Sequence, residues 1–141
     1  MINKFNELSY NEISIGQQES FIIKITESIV EKFSNLSGDL NPLHMDNQFA
    51  ESSSFKKRIV HGMLLASFFS QLIGMKLPGK NALYFSQTLN FRSPCYIDDE
   101  IEVVGEVIEK SDSTQIITVS TSIFDKSKTC LIDGIAKIIV R

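Results

Sequence analysis

Apolar positions along the chain change their period near residue 80. Before that point they recur at helical spacing or fill short solid runs; from Ala82 onward they alternate with polar positions, as in half-buried strands. The first segment, "QQESFIIKIT" (17–26), reads as an opening strand. Thr26 then stands where a helix N-cap is needed, and "ESIVEKFSNLS" places Ile29, Val30 and Phe33 on one face. Gly38 ends that helix, because a left-handed C-terminal residue is best supplied by glycine. After a loop, "DNQFAE" reads as a short turn capped by Asp46. Next comes "GMLLASFFSQLIGMKL", apolar around nearly its whole circumference, which predicts a helix enclosed on several sides. Sixteen residues of helix at ~1.5 Å each run about 24 Å, long for so small a chain. "PGKN" breaks it.

Four alternating segments follow: "ALYFSQTLNF", "DEIEVVGEVIEK", "TQIITVSTSIF" and "TCLIDGIAKIIV". In the second, Ile101, Val103, Gly105 and Val107 fall on one side. "KSDS" and "DKSK" join the last three as turns. Five antiparallel strands and one dominant apolar helix have a compact solution: a curved sheet wrapped around the helix. That is an α+β chain with a single hotdog fold, expected here to occupy residues 1–141 as one domain. Such a sheet ends in an open edge, so pairing with a second copy through strands is expected.

Composition narrows the class. Of 141 residues, 43% are apolar and 22% charged, which separates the chain from disordered sequences. A formal charge of −3 gives no general attraction to nucleic acid or an anionic membrane surface. The sole basic cluster, Lys56-Lys57-Arg58, reads as a solvated turn. Cys95 and Cys130 form neither a CxxC pair nor a disulfide framework, which fits a reducing, cytoplasmic setting. "MINKFNELSYNEISIG" lacks the apolar core of a signal peptide. The long apolar helix is interrupted by Ser67, Ser70, Gln71 and Lys76 and is expected to be buried in protein, with no membrane span.

The chemistry concentrates in "SGDLNPLHMDNQFA" (37–50). Asp39 and His44 flank an Asn-Pro step that biases Asn41 away from helical geometry and keeps the loop extended. A carboxylate and an imidazole so placed can grip one water and move its protons near neutral pH. The same two residues also suit a capped turn with a structural histidine, and spacing alone leaves both readings open. A second histidine opens the apolar helix at "HGMLLAS". There the free N–H groups and the positive end of the helix dipole can stabilise a developing oxyanion, and Gly62 lets a ligand come close. Gly62 can equally serve a tight turn. A metal held by His44, Asp46, His61 and a cysteine lacks a matching ligand spacing. Gly62, Ala66, Ser70 and Gly74 form a stripe of small residues, suited to close packing against strands or to passage of a substrate chain; Ser70 adds the hydroxyl.

The pair of motifs "FSNLSGDLNPLHMDNQFA" and "RIVHGMLLASFFSQLIGMKLPG", continued by "YFSQTLNFRSPCYIDDEIEV", closely resembles the (R)-specific enoyl-CoA hydratases of the MaoC-like group. The chain departs at Asn47, where such proteins often carry proline. The resemblance implies that Asp39 and His44 are catalytic, that the Gly62 backbone amide donates to the oxyanion, and that Ser70 supports the substrate, with Asn41 able to orient the loop. It implies addition of water to a trans-2-enoyl-CoA to give an (R)-3-hydroxyacyl-CoA, an acyl-CoA thioester as partner and a homodimer with its substrate tunnel near the subunit interface. Neither metal nor redox cofactor is called for. Three other activities share the architecture: a dehydratase acting on acyl carrier protein, a hotdog thioesterase, and a silent acyl-CoA-binding module.

Overall fold

A computed structural model of the protein describes residues 4–141. The first three residues of the N-terminal stretch read above, and of the span 1–141, lie outside it. Strand β1 (Gln18–Lys24) leads into helix α1 (Glu27–Ser37). Both ends of α1 are set by side-chain chemistry: the Thr26 hydroxyl accepts the Ile29 N–H, and Gly38 takes the left-handed conformation at φ 80° while its N–H bonds the Ser34 carbonyl. Two short helices follow, α2 (Pro42–Met45) and α3 (Asn47–Ser52). The segment after Asn41 is therefore not extended. Asn41 itself is, at φ −53° and ψ 130°, but Pro42 takes the first helical position, where its fixed φ suits a helix and its missing N–H costs nothing. The turn at "DNQFAE" is a six-residue helix, capped by Asp46 through the Gln48 and Phe49 N–H groups.

Helix α4 (Gly62–Gln71) runs on through a π-helical turn at Leu72–Lys76. The remaining strands are β2 (Ala82–Gln87), β3 (Asn90–Phe91), β4 (Glu100–Ser111), β5 (Ile116–Asp125) and β6 (Cys130–Val140). They form one antiparallel sheet in the order β1-β4-β5-β6-β2, with β3 also on β6. The strand expected at 82–91 is thus two pieces along the same neighbour. Ile101, Val103, Gly105 and Val107 do share the buried face of β4.

Leu64, Leu65, Phe69 and Leu72 pack with Val103, Ile123, Leu131 and Ile132, while Ile73 and Leu77 join a second cluster with Val107, Val119 and Ile138. Each such side chain contributes roughly 1.5–3 kcal/mol by leaving water. The helix is not enclosed all round. Met63 is 58% exposed, and Ser67, Ser70 and Gly74 are exposed with it. The stripe of small residues therefore does not serve helix-to-sheet packing at its far end: a Cβ on Gly74 would meet nothing within 4 Å. Along the free edge of β2, Leu83 and Phe85 are also exposed, at 49% and 62%. Among the described residues no helix is long and apolar enough to cross a membrane.

Close approach of α4 to β4 depends on Gly105. A Cβ there would lie 2.8 Å from Leu72 Cδ2 and 3.2 Å from Val119 Cγ1, two side chains with no exposure and no room to retreat. Gly105→Ala should therefore lower unfolding stability by about 1–3 kcal/mol, the cost of overpacking a dense core. Urea denaturation monitored by circular dichroism measures it, and an unchanged midpoint would contradict this packing.

Candidate active site

The loop after Gly38 supplies the carboxylate. Asp39 is exposed; its N–H donates to Ser37 Oγ at 3.2 Å, and its Oδ1 accepts the Asn41 N–H at 3.1 Å. Asn41 in turn caps α2, its Oδ1 accepting the Leu43 N–H at 3.0 Å. Asn41 thus orients the loop by a cap, and one Asp39 oxygen remains uncommitted by these bonds.

One helical turn later stands His44. Its Nδ1–H donates to the Ile59 carbonyl at 2.8 Å. A carbonyl can only accept, so this bond places the proton on Nδ1 and leaves Nε2 as a lone pair. The segment that provides that carbonyl is itself pinned: the Ile59 N–H donates to Leu43 O at 3.3 Å, and the Val60 N–H to Cys95 O at 2.7 Å.

Arg58 belongs to this support, contrary to the solvated turn expected of the basic cluster. It is 7% exposed; its Nε–H donates to the His44 carbonyl at 2.6 Å, and Nη1 pairs with Glu27 Oε1 at 2.7 Å. The guanidinium fork ties the end of α2 to the first turn of α1. Alternation carried a signal for it, since Arg58 and the buried Val60 lie two apart in an extended segment.

His61 is the N-cap of α4 and is 2% exposed. Its Nε2–H donates to the Asp39 backbone carbonyl at 3.0 Å, its ring stacks on His44 with centroids 4.0 Å apart, and the Phe33 ring meets it edge-on. Burial pushes its pKa below the ordinary value; the Asp39 carbonyl and carboxylate pull upward, and the neighbouring His44 adds to the lowering.

A carboxylate oxygen of Asp39 and a ring nitrogen from each histidine lie within 4.8 Å of one another. One water making two hydrogen bonds of about 2.8 Å at the tetrahedral angle spans roughly 4.6 Å, the same scale as the Asp39–His44 separation. A metal fits this trio poorly. His44 Nδ1 and His61 Nε2 are taken by carbonyls, and the two stacked rings lie in planes only 30° apart, which does not aim their two remaining in-plane nitrogens at one ion. Asp46 is committed to its cap.

Next to His61, the Gly62 amide opens α4, where N–H groups lack helical partners and carry partial positive charge. A Cβ on Gly62 would sit 2.6 Å from Phe91 Cδ1. A cleft of about 360 Å³ opens beside it, with Phe55, Val60, Leu65, Phe91 and Leu131 among its walls. Asp39, His44 and His61 therefore converge, with Gly62 adjoining them. Ser70 does not join them within one chain: it lies two turns along α4 on the exposed face. Arg58 and the Ile59 carbonyl are the parts that motif reading missed.

Comparison with known proteins places this geometry in context. Residues 11–127 match the MaoC like domain family. The chain is 38% identical over 127 residues to an (R)-specific enoyl-CoA hydratase of Aeromonas caviae, covering 90% of this chain and 95% of that one. It is 39% identical over 114 residues to a mitochondrial 3-hydroxyacyl-[acyl-carrier-protein] dehydratase of Arabidopsis thaliana, covering 79% and 68%. The solved structure of the unliganded R-hydratase PhaJ1 from Pseudomonas aeruginosa superposes with a TM-score of 0.91 at 34% identity, covering 95% of this chain and 86% of that one. That of the Aeromonas caviae (R)-hydratase involved in PHA biosynthesis gives 0.89 at 37%, covering 92% and 98%.

The lowered pKa of His61 has a consequence for stability. The unfolded chain binds this proton more readily than the folded one, so the contribution is fully present above the unfolded value near 6.5 and is lost as pH falls below it. Melting temperature should thus drop between about pH 7 and 5, and drop less in His61→Gln. Parallel curves for the two proteins would contradict the assignment.

Proposed function

Since the chain belongs to the MaoC-like domain family, we propose that it is an (R)-specific enoyl-CoA hydratase, a hydro-lyase that adds water to a trans-2-enoyl-CoA to give an (R)-3-hydroxyacyl-CoA. The observation that carries this reading is an Asp39 carboxylate oxygen within 4.8 Å of a His44 ring nitrogen, with the His44 tautomer set by Ile59. The water lies between the Asp39 carboxylate and His44 Nε2, and its oxygen attacks C3. Taken as a unit, the pair accepts one proton from that water and returns one to C2, ending in its starting charge state. As the C3–O bond forms, electron density moves to the thioester oxygen. The Gly62 N–H at the positive end of α4 is the group proposed to meet it. Asn41 holds the loop. No oxidation state changes overall, so the reaction calls for neither a redox cofactor nor, with this pair as acid and base, a metal.

Run backwards, the same chemistry dehydrates a 3-hydroxyacyl thioester, and one relative is named for that activity on acyl carrier protein. Matched CoA and carrier-protein thioesters separate the two, and the CoA substrate should give the higher kcat/KM. With trans-2-enoyl-CoA, Asp39→Asn and His44→Gln should each cost about 10²–10⁴ in kcat and the wild-type product should be (R) on chiral analysis. An (S) product, or a variant retaining most of its activity, would sink the reading.

The chain is further proposed to act as one domain over residues 1–141, in the cytoplasm, as a homodimer. Two free cysteines support a reducing compartment. Supporting the dimer are the unpaired β2 edge with Leu83 and Phe85, and the open α4 face that carries Ser70. A partner seated there would bring Ser70 into an enclosed substrate passage. Light scattering at micromolar concentration should report about twice 15.9 kDa, and a stable, fully active monomer would refute it.

A further inference from the structure

We propose that His61 is a positioning residue that sets the mutual placement of Asp39, His44 and the Gly62 amide; this rests on the hydratase reading above. The residue reaches all three. Its Nε2–H holds the Asp39 carbonyl at 3.0 Å, its ring lies on His44 at 4.0 Å, and its own carbonyl starts α4 by accepting the Leu64 N–H at 3.1 Å and the Leu65 N–H at 3.3 Å. The imidazole therefore joins the carboxylate loop and the base to the residue that opens α4.

Its place in the structure separates positioning from proton transfer. The remaining nitrogen, Nδ1, is buried and has no hydrogen-bond partner among the described residues. A bare lone pair is tolerable there; an N–H without an acceptor, or an imidazolium, is costly. The ring is accordingly held neutral as the Nε2–H tautomer. The titratable groups that face it are Asp39 from the loop and His44 from α2, and α1 presents Phe33. Charging His61 would set a cation against the stacked face of His44, so a neutral His61 also leaves His44 free to take the proton from water. Its Nδ1 is shielded from solvent, so it does not serve as a second base.

Two variants of the full chain divide the role. His61→Phe keeps an aromatic face against His44 and removes the donor; His61→Gln keeps a donor for the Asp39 carbonyl and removes the ring. With a short trans-2-enoyl-CoA, His61→Phe should lose kcat by about 10²-fold, as for a small misplacement of reacting groups, with KM within about threefold of wild type. His61→Gln should recover a tenfold part of that loss. Equal kcat values for His61→Phe and wild type, or a Gln variant no better than Phe, would overturn the proposal. A readout that needs no variant is available because the chain has only two histidines. In ¹⁵N-histidine spectra of the wild-type protein with both rings neutral, one ring should be the Nε2–H tautomer and the other Nδ1–H; two rings of the same tautomer would overturn it equally. If Asp39→Asn and His44→Gln lose activity while His61→Phe does not, positioning alone fails. If those two keep activity, the hydratase reading fails first.

Discussion

The carbonyl of Ile59 decides which nitrogen of His44 carries a proton. Held at 2.8 Å from Nδ1, it leaves Nε2 bare, and every later step of the proposed chemistry draws on that lone pair. A backbone acceptor does this more firmly than a side chain could, because it has no rotamer to change. The carbonyl keeps its own position through the Val60–Cys95 and Ile59–Leu43 hydrogen bonds, and Arg58 holds the other end of the turn that presents His44. The carbonyl that fixes the base thus comes from the segment leading into α4, not from the loop that carries the acid.

The rest of the architecture brings the acid and the oxyanion donor to that base. Gly38 ends α1 so that Asp39 leaves the helix directly, and His61 ties the Asp39 carbonyl to the first residue of α4. Helix α4 can stand there because β4 and β5 receive Leu72 over Gly105. Part of this arrangement stays exposed. The α4 face with Met63, Ser67 and Ser70 and the β2 edge with Phe85 leave apolar side chains exposed, and the proposed homodimer draws on them.

Much of this was legible in the chain itself, for local reasons. Thr26 and Gly38 bracket a helix whose ends the structure reproduces residue by residue, since capping depends on neighbours within one turn. The alternation of Ile101, Val103, Gly105 and Val107 marked the inner face of β4. Pro42 was harder: before it the backbone is extended as expected, but proline also opens helices, and the same residue fits both sides of that boundary. Arg58 gave no signal beyond its alternation with Val60, because its partners, Glu27 and the His44 carbonyl, become neighbours only after folding. The stripe through Ser70 and Gly74 was visible as a pattern, but that its far end faces away from the sheet needed the fold. His61 was noticed as part of a helix mouth; its contacts with Asp39 and His44 needed the fold.

The central claim is that Asp39 and His44 act on one water. A double-mutant cycle tests it most directly, measuring kcat for Asp39→Asn, His44→Gln and the combination, with melting temperatures to confirm folding. Groups that share a reacting water are strongly non-additive, so the double variant should be scarcely slower than the worse single one. A double variant slowed by the full product of the two single losses would mean independent roles, and the shared-water mechanism would be wrong.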